Sequence, residues 1–336
     1  MIPVVIVTGF LGSGKTTLIS RVLRDPAFAR TAVIVNEFGE IGLDHELIET
    51  SDESLMSLST GCLCCAVRSD LVQTLLDLDR RRRAGEIPGF DRVLIETSGL
   101  ADPAPILQSL MTDPTIGRTH AIDTVVTLVD ALLGADTLER HAEARRQVAL
   151  ADRIVLTKTD ISGATETLRG RLAALNSGAD LLIAVSGRIA PESLFLPSDP
   201  TARAERMASL PAVPAASPFL RAQHTDGVET FFLEREEPIP GLALILLLES
   251  LAEHCGERLL RVKGLVRIAE MPDRPAAIHG VQHIFAAPEF LPRWPGEPRR
   301  TRIVFIAQGV PRHFPARLLA AIEAEVIDET DARRKP

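Results

Sequence analysis

Val4-Val5-Ile6-Val7-Thr8-Gly9-Phe10-Leu11-Gly12-Ser13-Gly14-Lys15-Thr16-Thr17 is the stretch that decides the fold. Four apolar residues in a row read as a buried strand. The pattern Leu18-Ile19-Ser20-Arg21-Val22-Leu23 that follows reads as a helix stopped at Asp25-Pro26. Between strand and helix stands G-x-x-x-x-G-K-T, the pattern of a phosphate-binding loop in the context that such a loop requires. Gly9, Gly12 and Gly14 bring backbone amides close to an anion, and the helix start adds a partial positive charge. Lys15 is placed to reach β- and γ-phosphates and the Thr16 hydroxyl to ligate Mg²⁺, with Ser13 and Thr17 completing the loop.

Outward from this loop the chain offers further strand ends that carry chemistry. Thr31 to Val35 reads as a second buried strand, ending in Asn36-Glu37-Phe38-Gly39-Glu40-Ile41-Gly42-Leu43-Asp44, an oxygen-rich loop where a nucleotide hydrolase keeps a switch segment. A short strand, Leu55 to Ser59, delivers Gly61-Cys62-Leu63-Cys64-Cys65. Three thiols in four residues cannot all face one way along a strand, so a loop is their host. Thiolates at this spacing suit Zn²⁺, with nitrogen or carboxylate ligands completing a tetrahedron; packing as small apolar residues is the alternative. Val67 to Arg83 is helical by period, and Arg80-Arg81-Arg82-Arg83 at its end complements the helix dipole without any nucleic acid.

Arg92-Val93-Leu94-Ile95-Glu96 is an apolar strand ending in a carboxylate, which in a phosphate-loop domain meets Mg²⁺ directly or through water. Gly99 lets the next loop sense the γ-phosphate. Thr124 to Val129 is a further strand, followed by a helix through about Leu150. Arg153 to Leu156 leads into Thr157-Lys158-Thr159-Asp160. An aspartate there accepts from N1–H and N2–H₂ of guanine while the Lys158 stem covers the ring; adenine offers no matching donors. Leu181 to Val185 then leads to Ser186-Gly187, a second purine-contacting turn.

These elements predict an α/β phosphate-loop domain over 1–196, with a mostly parallel sheet and helices on both faces. A Pro/Ala-rich linker over 197–224 follows, then a smaller α+β domain over 225–330 with an antiparallel sheet. The strands expected in the second domain are Phe231 to Leu233, Leu259 to Ala269, Ala277 to Phe285 and Arg302 to Ala307. Helices are expected from Leu242 to Cys255 and through Leu318 and Ile322. His279 and His283 would share a face of their strand, and Cys255 is a packing residue.

Composition bounds the function. The 336 residues suit two cores. A balance of 37 basic against 45 acidic residues, net −8, argues against a general nucleic-acid or membrane-surface binder. The apolar start is committed to a strand, so no signal peptide is expected, and Leu242 to Leu248 is too short to span a bilayer. A cytoplasmic location follows, and in that compartment clustered cysteines point to metal or redox chemistry.

In order, Gly9 to Thr17, Asn36 to Asp44, Gly61 to Cys65, Glu96 to Pro103 and Thr157 to Asp160 resemble the CobW family of metal-handling GTPases. Arg258-Leu259-Leu260-Arg261-Val262-Lys263-Gly264 and Trp294-Pro295 extend the resemblance through the second domain. The resemblance implies that GTP and a transition metal, Zn²⁺ or else Co²⁺, are bound together, and that hydrolysis drives transfer of the metal to a client metalloprotein. It implies that Lys15, Thr16 and Glu96 serve phosphate and Mg²⁺, and that Asp160 reads guanine. Cys64 and Cys65, with Cys62, are the metal ligands it suggests, and Glu37 joins them with GTP. Thr157 replaces the asparagine of the common guanine motif. The His-rich segment of many members is missing, the linker offering only His224, which points to the second domain for client recognition. A monomer or weak homodimer is expected. Alternatives are a cobalt-handling GTPase of cobalamin biosynthesis and a thiol redox-regulated GTPase switch.

Overall fold

The computed structural model describes residues 1–36, 55–57, 66–161, 166–190, 193–194 and 227–334. The switch loop after Asn36 with Glu37, the cysteines Cys62, Cys64 and Cys65, and the linker through His224 lie outside the described residues. The chain divides into two compact units, one formed by 1–173 and 179–196 and the other by 174–178 and 197–336.

The first unit is built on seven parallel strands: β1 (Ile2–Gly9), β2 (Thr31–Asn36), β3 (Leu55–Ser57), β4 (Arg92–Thr97), β5 (His120–Asp130), β6 (Arg153–Thr157) and β7 (Asp180–Ile183). They lie in the order β3-β2-β4-β1-β5-β6-β7. A continuous apolar run suits a strand covered on both faces, and Val4, Val5 and Ile6 in β1 are wholly buried. Helix α1 (Lys15–Val22) packs Leu18, Ile19 and Val22 on the face that carries Val5 and Val7. Each such buried side chain contributes roughly 1.5–3 kcal/mol. The remaining helices of this unit are α2 (Ala66–Ala84), α3 (Ala104–Thr112), α4 (Ile116–Thr119), α5 (Gly134–Arg140), α6 (Ala142–Leu150) and α7 (Glu166–Leu175). The chain leaves β1 toward β2 on one side and reaches β5 and β6 on the other. This reversal opens a crevice at the carboxyl ends of the strands, where ligands of open α/β sheets bind.

The single helix expected up to Leu150 is two, α5 and α6, because His141 between them is extended (φ −120°, ψ 115°). The buried Arg145 guanidinium makes the break tolerable by donating to the carbonyls of Leu138 (2.7 Å) and Glu139 (2.9 Å), which the end of α5 leaves unpaired. Helices α3, α4 and α7 were not legible in advance.

The second unit contains β8 (Val228–Arg235), α8 (Gly241–Cys255), β9 (Leu259–Ile268), β10 (Met271–Val281), β11 (Ile284–Phe285), β12 (Glu289–Phe290), β13 (Thr301–Gln308) and α9 (Phe314–Arg334). Its antiparallel sheet runs β11-β10-β9-β13-β8, with β12 paired to β10. Alternate residues of these strands, among them Phe231, Val262, Ile278 and Phe305, form one core with Leu244, Leu247 and Leu251 of α8 and Leu319 of α9. The strand expected from Ala277 to Phe285 is a hairpin: Val281 pairs with Ile284, and Gln282 takes a positive φ of 55° in the two-residue turn. His279 therefore lies on β10 and His283 in the turn, so they do not share a strand face. Among the described residues no helix is long and apolar enough to cross a membrane.

Candidate nucleotide site

The phosphate loop is held open by backbone geometry. Gly9, Gly12 and Gly14 have positive φ (143°, 72° and 94°), and Gly14 caps α1 without a side chain. A Cβ on Gly9 would lie 2.5 Å from the Leu128 carbonyl oxygen of β5, so close strand contact as well as φ demands glycine there. Lys15, 9% exposed, donates through Nζ to the carbonyls of Gly9 (2.7 Å) and Phe10 (3.2 Å). A buried ammonium spanning the mouth of an anion-binding loop is poised to exchange carbonyl partners for phosphate oxygens, which bind a cation more strongly. Among the described residues the buried Ser13 hydroxyl has no hydrogen-bond partner, which suits a loop shaped for oxygens of a ligand.

Glu96 at the end of β4 is 7% exposed, and the Thr16 hydroxyl donates to its Oε1 at 3.3 Å. A hydroxyl beside a carboxylate next to a phosphate loop is an oxygen donor set that fits Mg²⁺. Beneath them Thr97 donates to Thr8 at 2.8 Å, both wholly buried, which locks β4 to β1 just below the site.

The Thr157-to-Asp160 segment lies on the other side of the loop and is tied to it. The Thr157 hydroxyl donates to the Ser13 carbonyl at 2.7 Å, so the residue standing in place of asparagine fastens the end of β6 to the phosphate loop. Lys158 has a positive φ of 56° and donates from Nζ to Asp130 Oδ2 at 2.6 Å. Asp160 Oδ2 accepts from the Ser186 hydroxyl at 2.8 Å. That bond, with backbone amides adding to it, holds the Asp160 carboxyl below its ordinary pKa, so it stays an acceptor at neutral pH. The turn at Ser186 and Gly187 closes this side: a Cβ on Gly187 would stand 3.1 Å from Thr17. Gly9, Gly12, Ser13, Gly14, Lys15, Thr16, Thr17, Glu96, Thr157, Lys158 and Asp160 thus share one crevice.

Asp130 was missed in the sequence. It ends β5 as Glu96 ends β4, which was the available signal, and its Oδ1 also accepts from the amides of Leu132 (2.8 Å) and Leu133 (3.3 Å). Those bonds fix the carboxylate that in turn fixes Lys158. Among the described residues no group of three or more His, Cys, Asp or Glu side chains is arranged to hold a metal. Cys255 is buried in the core of the second unit.

Residues 3–182 match the family described as CobW/HypB/UreG, nucleotide-binding domain, and residues 228–323 match the cobalamin synthesis protein cobW C-terminal domain. The chain belongs to the CobW family. Within it, the chain is 34% identical over 310 residues to the zinc chaperone YjiA of Escherichia coli, covering 92% of this chain and 95% of that protein. It is 38% identical over 190 residues to the zinc chaperone CobW of Pseudomonas aeruginosa, covering 47% and 49%. The crystal structure of Zn(II)-bound YjiA GTPase from E. coli superposes with a TM-score of 0.74 at 28% identity, covering 96% of this chain and 98% of that one. The two-part CobW architecture therefore extends over nearly the whole chain.

Proposed function

We propose that this CobW-family protein is a GTP-hydrolysing metallochaperone that binds Zn²⁺ on the thiolates of Cys62, Cys64 and Cys65 and passes it to a client metalloprotein. The observation that carries the reading is the coupling of three parts in one crevice: Lys15 at the phosphate loop, Thr16 paired with Glu96, and Thr157 linking the guanine motif to that loop. The zinc-chaperone names of the E. coli and P. aeruginosa relatives support the choice of cargo.

Lys15 and the loop amides bind the triphosphate and compensate charge on its β- and γ-oxygens. Thr16 and Glu96 would hold Mg²⁺, which would supply further neutralisation of that charge. Asp160 and Lys158 select guanine, and Gly99 brings the loop after β4 to the third phosphate. In sequence Glu37 directly follows β2 and Cys64 follows β3, a strand paired with β2. GTP that draws Glu37 toward the cysteines completes the metal site, and hydrolysis releases it. A coupling of about 1–3 kcal/mol would change Zn²⁺ affinity roughly 5–150-fold, and metal would tighten GTP by the same factor. A cytoplasmic setting keeps the thiols reduced.

The test is a competitive Zn²⁺ titration of reduced protein with Mg²⁺, in turn without nucleotide, with GDP and with a non-hydrolysable GTP analogue, repeated with Cys64→Ala. Tightening by the analogue that Cys64→Ala abolishes supports the proposal. Weak affinity indifferent to nucleotide overturns it; Co²⁺ preference or thiol oxidation that alters GTP turnover would favour the cobalamin or redox alternative.

A further inference from the structure

The loop that leaves β4 is held from beneath by a side chain that the site described so far does not use. Gln147 of α6 is 1% exposed, and its Nε2 donates to the Gly99 carbonyl at 3.1 Å and to the Ala101 carbonyl at 3.0 Å. Its own backbone carbonyl accepts from the Thr127 hydroxyl of β5 at 2.8 Å. Two donors on one nitrogen meeting two carbonyls fix the orientation of this amide, because the reversed amide would set oxygen against oxygen. Oε1 is then buried without a hydrogen-bond partner among the described residues. An apolar side chain of similar volume would spare the unpaired Oε1 but would leave these loop carbonyls without the amide donors, so what glutamine contributes here is its hold on the Gly99–Ala101 backbone.

The loop is gripped from its other side as well. A Cβ on Gly99 would stand 2.6 Å from Leu11 Cδ2 and 2.8 Å from the Leu11 amide nitrogen, so the loop rests directly on the phosphate loop. Arg146, next to Gln147, donates to Asp102 Oδ2 at 3.2 Å, and Asp102 Oδ1 accepts from the Ala104 amide at 2.9 Å. The Ala101 amide closes a turn onto the Ser98 carbonyl at 3.1 Å. One helix thus reaches the loop at Gly99, Ala101 and Asp102.

We propose that Gln147 is a positioning residue that fixes the Gly99–Ala101 backbone for contact with the third phosphate, and so sets the preference for nucleoside triphosphate over diphosphate. The inference rests on the reading of the crevice as a GTP site. A diphosphate ends short of this loop and is indifferent to Gln147.

Full-length Gln147→Leu, Gln147→Glu and Arg146→Ala test it, by calorimetric binding of a non-hydrolysable GTP analogue and of GDP, each with Mg²⁺, and by hydrogen exchange of residues 98–103 without nucleotide. Leucine keeps the volume and removes both donors; glutamate sets a carboxylate against both carbonyls. Analogue affinity should fall about tenfold in Gln147→Leu, further in Gln147→Glu, and about threefold in Arg146→Ala, with GDP affinity unchanged. Exchange at 98–103 should quicken in all three. Unchanged analogue affinity, or equal losses for analogue and GDP, overturns the proposal. Should Gln147→Leu not fold, Arg146→Ala decides by the same ratio, since its guanidinium is half exposed and its removal spares the core. Wild-type protein that binds neither nucleotide removes the GTP reading and this inference together; wild-type binding with no difference in the variants removes this inference alone.

Discussion

At the carboxyl ends of β1, β4 and β6, polar side chains are held by backbone or by one another: buried Lys15 on Gly9, exposed Thr16 on buried Glu96, buried Thr157 on Ser13. At the amino ends of the same sheet, charged side chains meet near solvent, with Arg30 on Asp91 before β4 and Arg80 on Asp77 in α2. Solvent-exposed pairs of the second kind contribute little to stability, because water already solvates both partners and fixing long side chains costs entropy. Buried groups of the first kind are specific and demanding, because each depends on a partner held at hydrogen-bond distance. The lesson is that one end of the sheet is organised for binding and the other for solubility, and substitutions at the two ends should differ in what they change.

The largest effect should come from Lys15→Ala. Its ammonium donates to the carbonyls of Gly9 and Phe10, and charge-assisted bonds to phosphate are worth about 1.5–3 kcal/mol each. Nucleotide affinity, followed with a fluorescent GTP analogue, should drop at least about 100-fold, with far less change in thermal stability. A melting temperature that collapses in step with affinity would place Lys15 on the structural side of the comparison.

Asp160→Asn comes next. The carboxylate offers two acceptors for guanine N1–H and N2–H₂, whereas an amide offers one acceptor and one donor. GTP affinity should fall about 10–100-fold, while xanthosine triphosphate, with a carbonyl where guanine has its amino group, should gain. Parallel loss of both nucleotides would show that Asp160 holds the Ser186 turn and does not read the base.

Thr157→Val should act more gently. It removes the donor that satisfies the Ser13 carbonyl, at a cost of about 1–3 kcal/mol for a buried acceptor left unpaired. GTP affinity should weaken about three- to tenfold through the loosened phosphate loop, and Thr157→Ser should restore it. No rescue by serine would mean that the β-branched packing matters and the hydroxyl does not.

What was legible in the sequence was local. The glycines and Lys15, the carboxylate ending β4 and the Thr157-to-Asp160 turn each take their role from neighbours a few residues away, so strand–loop–helix order was enough to place them. The antiparallel second unit was legible from successive strand patterns without helices between them. Asp130, Gln147 and the Thr8–Thr97 bond were not, because each joins elements whose spatial adjacency only the strand order decides. The break at His141 depends on Arg145 capping the end of a preceding helix, and the hairpin at Gln282 on a positive φ that no glycine or asparagine announces.

His120 gives the smallest effect and the sharpest test of the solvent-facing end. It opens β5 at 3% exposure, with Nδ1 2.8 Å from the Thr119 hydroxyl and Nε2 buried without a hydrogen-bond partner among the described residues. Burial pushes its pKa below the ordinary 6.5; Asp79 opposes the shift, while Arg82 and Arg83 add to it. The unfolded chain therefore takes up a proton that the folded chain refuses once pH falls below about 6.5, so stability rises with pH through that range and is unaffected by this group above it. Urea unfolding at pH 5 and pH 8 should show a smaller pH difference in His120→Asn than in the wild type, whereas Arg30→Ala, at an exposed pair, should leave that difference as it was. If Arg30→Ala flattens the pH profile and His120→Asn does not, the amino end of the sheet owes its pH response to its surface charges, and the contrast between the two ends lies elsewhere than in burial.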